Sequence, residues 1–184
     1  VTQREYERTV GSNPSYFKED DRPAEQVSWD EANAFAAQFG EKIGSLMRLP
    51  SEAEWEYACR AGGQHDAFCG QGQVVNLGWF GSNSGTRTHR VEQKQANAWG
   101  LYDMSGNVSE WVLDCWHADY AGAPTDGSAW MGNGACGQRV SRGGAWFDSM
   151  PFLHAAYRSK YEPSSRFSYL GFRLVMTQGS PNRQ

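Results

Sequence analysis

The segment from Arg142 to Arg173 constrains this chain more than any other. One end is Gly143-Gly144, where a backbone can take positive φ or admit a close neighbour. The other is Leu170-Gly171-Phe172-Arg173-Leu174-Val175, which reads as a buried closing strand. Between them Phe, Tyr, Ser, His and Asp alternate with no period long enough to build a core. Large aromatics among small hydroxyls are the composition of a recognition surface, because Tyr offers contact area at low entropic cost. The alternative is a loop-rich segment whose rings cover a small core.

The scaffold has to come from upstream. Ser28 and Glu31 have capping-box spacing, and Trp29, Ala32, Phe35, Ala36 and Phe39 share one helical face, with Gly40 as the stop. A second helix opens at Ser51, paired with Glu54 just after Pro50, runs through Trp55, Ala58 and Cys59, and ends at Gly62-Gly63. Val1 to Val10 fits a strand or a short helix, before a turn at Gly11-Ser12-Asn13-Pro14. Residues 63–98 are rich in Gly, Gln, Asn and Ser and promise few regular elements. Trp111-Val112-Leu113 suits a buried strand behind a tight turn at Ser105-Gly106-Asn107, and 117–138 is a Gly-rich loop. The 184 residues read as one domain, 1–184, with no repeat or linker.

The formal charge of −4 gives no basic field for nucleic acid, and the apolar runs are too short to span a bilayer. With 8 Trp and 21 Gly, aromatic anchors among loops are expected to hold the fold. Arg outnumbers Lys, which favours forked hydrogen bonds over loose charge. Cys59, Cys69, Cys115 and Cys136 show no CxxC spacing; three pairings stay open, and buried free thiols fit at least as well. His65, His89, His117 and His154 are scattered, so a metal–histidine centre is not expected. The chain starts abruptly at Val1 in what reads as a strand, so a trimmed start is expected and the missing leader says nothing of the compartment; a cell-surface or secreted setting is compatible.

Four blocks occur in order: Arg48-Leu49-Pro50-Ser51-Glu52-Ala53-Glu54-Trp55, Asn97 to Val108 followed by Glu110-Trp111, Arg142-Gly143-Gly144-Ala145-Trp146, and Gly171-Phe172-Arg173. Together they resemble the formylglycine-generating enzyme (sulfatase-modifying factor) family over nearly the whole chain. The resemblance implies an α+β, C-type-lectin-like fold with two helices, a small antiparallel sheet and much irregular loop. It also implies, for the family's oxidases, a copper-binding cysteine pair five positions apart after the Gly-Gly. Those places hold Asp148 and Leu153 here, so copper and the oxidase activity are not expected. By the same resemblance, oxygen donors at Asp103, Gly106, Val108 and Glu110 form a candidate calcium site, although Ser109 stands where the family usually has Trp. A second family calcium site would use Asn76 and Leu77, but no acidic ligand is evident in 81–85.

Arg158, Pro163, Arg166 and Gly171-Phe172-Arg173 are spaced as in the C-terminal variable region of proteins diversified by retroelements. That resemblance implies a ligand-binding face within 142–175, rewritten by mutagenesis of adenines. AAC codons then become NNC, which encodes Phe, Tyr, Ser, Asp, His or Leu but never Trp, Gln, Lys, Glu or Met. Phe147, Asp148, Ser149, Phe152, Leu153, His154, Tyr157, Ser159, Tyr161, Phe167, Ser168 and Tyr169 obey that limit, whereas Met150, Lys160 and Glu162 do not. The residues that obey the limit, Leu153 excepted, are the candidate binding residues. Gly143-Gly144 and Gly171 to Arg173 would pin the ends while Arg158 and Arg166 tie loop carbonyls from below. The expected function is non-enzymatic binding of a protein ligand, such as one on a cell surface. An oxidoreductase or protein-modifying enzyme with an unrecognised site is the alternative.

Overall fold

The structure, a computed structural model, describes residues 1–63, 66–132, 134 and 136–177; His65 lies outside them. Among the described residues three helices of eight or more residues form, each started by the same local device. In α1 (Gln3–Val10), Thr2 and Glu5 make a reciprocal capping box, so the undecided N-terminal segment is helical. In α2 (Trp29–Ile43), Ser28 and Glu31 do the same; in α3 (Glu52–Cys59), Ser51 and Glu54. The expected stop at Gly40 is corrected: α2 runs on to Ile43 and closes at Gly44 in the left-handed region. Gly40 serves close approach instead, since a Cβ there would lie 2.5 Å from the Ser45 carbonyl oxygen. A single turn, α4 (Val74–Leu77), is the one helix in the Gly-rich middle among the described residues.

Two sheets complete the α+β fold. Strand β1 (Leu46–Arg48) pairs antiparallel with β6 (Val175–Thr177). The larger sheet holds β2 (Ser109–Cys115), β3 (Arg139–Arg142), β4 (Arg158–Tyr161) and β5 (Leu170–Phe172) in the order β4-β3-β2-β5. Two of its pairings are antiparallel, but β5 runs parallel to β2, with Glu110 opposite Gly171. The expected single closing strand is thus two strands in different sheets, parted at Arg173 and Leu174. Gly171 admits the Ala24 carbonyl, whose oxygen would sit 2.5 Å from a Cβ.

Tryptophans anchor the core, as composition implied. Trp29 Nε1 donates to the Val112 carbonyl at 2.8 Å, and Trp111 Nε1 to that of Val27 at 2.9 Å. Trp111 packs with Tyr6, Phe35, Leu170 and Phe172, while Trp55 packs with Met104, Val112, Val140 and Ala155. The cysteines are paired, Cys59 with Cys69 and Cys115 with Cys136, which decides between the disulfides and buried free thiols that the sequence left open. The sequence could not choose a pairing because the partners approach through loop geometry set by the whole fold.

Candidate functional site

The C-terminal segment rests on a floor of buried charge. Arg142, on β3, has a fully buried side chain that donates to Glu52 at 3.1 Å, to Glu56, and to the carbonyls of Ala155 and Ala156. Opposite it in register stands Arg158 on β4. Its guanidinium forks onto both Glu52 oxygens at 2.6 and 2.8 Å, donates to the His117 carbonyl at 2.9 Å, and lies 4.5 Å from the ring centres of both Trp116 and Tyr120. The Tyr120 hydroxyl donates to Glu52 as well. Arg166 forks onto Glu31 at 2.9 and 3.0 Å and reaches the Ser164 carbonyl. Arg158 and Arg166 thus each tie a loop carbonyl, as expected, and each also forks onto a carboxylate, the geometry guanidinium favours. Gly144, at φ +69, closes the floor, for a Cβ there would meet the Phe152 carbonyl oxygen at 2.7 Å.

Above this floor the candidate residues divide. Phe147, Ser149, Phe152 and His154 are exposed; Asp148, Tyr157, Ser159, Tyr161, Phe167, Ser168 and Tyr169 are half-buried. Rings link most of them. Phe147 meets Tyr169 edge-on at 4.7 Å, Tyr169 stacks on Phe167 at 4.9 Å, and Phe167 leans on Tyr161 at 5.4 Å. Phe152 and Tyr157 form a separate edge-on pair at 5.0 Å, and His154 touches Phe68. Burial pushes the Tyr161 phenol well above its usual range. Leu153 is the exception: it is wholly buried against Val74 and Phe80. Its side chain obeys the codon limit yet belongs to the core.

Trp146 joins this face to the rest of the molecule. Its Nε1 donates to the Ser168 carbonyl at 3.1 Å, and its ring takes Phe17 edge-on at 5.5 Å and Phe147 at 5.4 Å. Sequence reasoning did not include Phe17; the adjacent aromatics Tyr16 and Phe17 after the Asn13-Pro14 turn were the available signal.

The residues at the two positions that correspond to the copper-binding cysteine pair have structural tasks. Asp148 accepts the Ala145 backbone N–H at 2.8 Å, burial holding its carboxyl above the usual range, and Leu153 is core. Neither supplies a thiolate, so these residues do not fit copper. The calcium candidates gather at one turn. Gly106 stands there at φ +100 because the Trp79 carbonyl oxygen would lie 2.3 Å from a Cβ, and Val108 is buried. Glu110, however, accepts Arg173 through both oxygens, at 2.5 and 2.8 Å, and Trp55 Nε1 at 2.7 Å. Asp103 accepts the Glu92 N–H at 2.8 Å and the Asn107 amide at 3.4 Å. A calcium ion there would have to share Glu110 with the Arg173 guanidinium, whose charge opposes a cation. At the second location, the Asn76 carbonyl accepts the Gln95 N–H and Leu77 is buried. His89 stacks on Trp79 and His117 on Trp130, and no cluster of three His, Cys, Asp or Glu suited to a metal occurs among the described residues.

The sulfatase-modifying factor enzyme 1-like domain model matches residues 1–178. Among curated relatives, formylglycine-generating enzyme of Bos taurus is 32% identical over 90% of this chain, which spans 46% of that protein. Chaperone protein LppX of Paenibacillus barcinonensis is 27% identical over 97% of this chain and 78% of its own length. Among solved structures, Treponema denticola variable protein 1 superposes with a TM-score of 0.83 and 32% identity, covering 95% of this chain and 81% of that one. PvdO from Pseudomonas aeruginosa gives 0.84 and 31%, covering 97% and 78%. The shared blocks, the fold they build and these similarities agree: the chain belongs to the sulfatase-modifying factor enzyme 1-like family.

Proposed function

We propose that this chain is a non-enzymatic binding domain whose face at residues 147–169 takes a protein ligand and is diversified by a retroelement. The observation that carries the reading is the division of labour within one segment. Arg142, Gly144 and Arg158 are spent on the scaffold, while the linked rings of Phe147, Tyr161, Phe167 and Tyr169 present partly free faces. Side chains on such a floor can change without unfolding the domain, because the floor's bonds run through other residues. Aromatic groups of this kind dominate binding energy at protein interfaces. Similarity to a variable protein supports the reading.

The competing reading, an oxidoreductase or protein-modifying enzyme of the same fold, draws on the similarity to formylglycine-generating enzymes. It would need a reactive centre other than the positions held by Asp148 and Leu153. Calcium forms no part of the proposal, because Glu110 is committed to Arg173 and Trp55.

Two measurements test the proposal. Deep sequencing of codons 142–175 across a natural population should find substitutions concentrated at adenines of the template; invariant codons would remove the diversification. For binding, dodecamer peptides are selected on the immobilised domain from a phage-displayed random library. Peptides should lose at least ~10-fold in affinity for the double variant Phe147→Ser, Phe152→Ser, with Tm unchanged. Selected peptides that bind both proteins equally would overturn the binding face.

A further inference from the structure

Tyr16 is the most exposed large hydrophobic side chain among the described residues, at 70%. Exposure of a single ring is ordinary; its mounting is not. The loop beneath it is locked by a closed circuit of hydrogen bonds. Gln3, fully buried on α1, donates through Nε2 to the Phe17 carbonyl at 2.7 Å and accepts from the Asn13 amide at 2.9 Å. Asn13 in turn accepts the Ser15 N–H at 3.0 Å. Glu25, also fully buried, accepts the Phe17 N–H at 2.8 Å, and its own N–H donates to the Ser15 hydroxyl at 3.1 Å. These bonds hold Ser15 and Phe17, on either side of Tyr16, and leave its ring outside.

That ring stands at the end of an aromatic path into the candidate face. Tyr16 meets Phe17 edge-on at 4.9 Å, Phe17 meets Trp146 at 5.5 Å, and Trp146 meets Phe147 at 5.4 Å. The Gln26 N–H, just beyond the loop, donates to the Phe167 carbonyl at 3.0 Å, a second tie between the two regions. A protein interface of about 800 Å² per partner covers the few ring contacts between Tyr16 and Phe147.

We propose that Tyr16 is a constant anchor of the same binding face, contacting the protein ligand beside the variable rings. The inference rests on the proposed function and adds a division within it. Tyr16 lies outside 142–175 and the Trp146 codon is unreachable from AAC, so both keep their identity while Phe147 to Tyr169 change. The ligand then offers, next to the variable epitope, an apolar patch with an acceptor for the phenol. A rigid, pre-positioned Tyr suits this role because little rotamer entropy is lost on binding.

The test uses the whole described domain and the dodecamer peptides selected on it. Tyr16→Ala is expected to weaken by ~10-fold those peptides that the Phe147→Ser, Phe152→Ser variant also weakens, with Tm unchanged. Tyr16→Phe should recover most of the ring contribution. The same loss should appear for peptides selected on a second domain carrying different residues at 147, 152, 157 and 169. Peptides sensitive to the Phe pair but within twofold on Tyr16→Ala would overturn the anchor and leave the face standing. Peptides insensitive to both would overturn the face, and the anchor with it.

Discussion

In the turn from Tyr102 to Glu110 the charged side chains are spent inside the molecule, whereas in the segment from Phe147 to Tyr169 the rings keep surfaces to spare. Glu110 gives both oxygens to Arg173 and one also to Trp55, and Asp103 holds Glu92 and Asn107. Phe147 is 47% exposed and Phe152 39%. Both regions are largely irregular and rich in polar residues, though only the second is rich in rings. What separates them is whether each group's bonding capacity is already used. A paired buried carboxylate holds a fold together; a supported but uncovered ring is free to meet a partner.

The comparison breaks hardest at Glu110. Glu110→Ala would leave Arg173 without its carboxylate and Trp55 Nε1 without its acceptor, at a cost of about 3–5 kcal/mol. Urea denaturation measures this, and a loss below about 1 kcal/mol would show that the turn is not a structural knot. Gly144→Ala forces a side chain into φ +69 and against the Phe152 carbonyl. Roughly 1–3 kcal/mol of destabilisation is expected by the same assay, since the obstacle is backbone. A near-neutral result would mean that the floor yields.

Glu25 lies between the extremes: it accepts one backbone N–H, but its second oxygen has no partner among the described residues. Burial raises its carboxyl to about 7, with Lys18 the nearby charge opposing the shift. A raised carboxyl binds its proton more tightly when folded. Its contribution is therefore intact below the unfolded value of 4.5, declines as pH rises towards 7, and stays lost above that. Glu25→Gln should flatten this decline and raise Tm at pH 8 by roughly 2–4 °C. An unchanged pH profile would show that Glu25 titrates normally.

The smallest effect belongs to the face. Phe147→Ser should change stability by about 0.5 kcal/mol or less, as for an exposed position. A loss several times larger would place Phe147 in the core and remove it from the binding surface. Calcium at millimolar concentration should move Tm by less than about 1 °C, since RT ln(1 + [L]/Kd) is small without an open site. A clear rise would mean that the ion displaces Arg173.

How legible each feature was followed from how local its cause is. Capping boxes at Ser28 and Ser51 were readable because donor and acceptor lie three residues apart; Thr2 with Glu5 carries the same signal beside a pattern that also suited a strand. Gly40 was misread as a stop because the Ser45 carbonyl that demands it approaches from beyond the helix end. The site was legible in composition but not in orientation. Leu153 and Phe152 both obey the codon limit, yet one is core and the other exposed.

By itself the sequence determined the helix starts, the absence of thiolates at positions 148 and 153, the four ordered blocks and the aromatic character of 147–169. These depend on residue identity and on neighbours a few positions away. Only the tertiary structure decided that Glu52 would hold Arg142 and Arg158 from 90 and 106 residues away. It also decided that β5 runs parallel to β2, which cysteines pair, and that Phe17 and Trp146 join a distant loop to the face. Those outcomes depend on which distant groups close packing brings within a few ångströms, and no local pattern carries that distance.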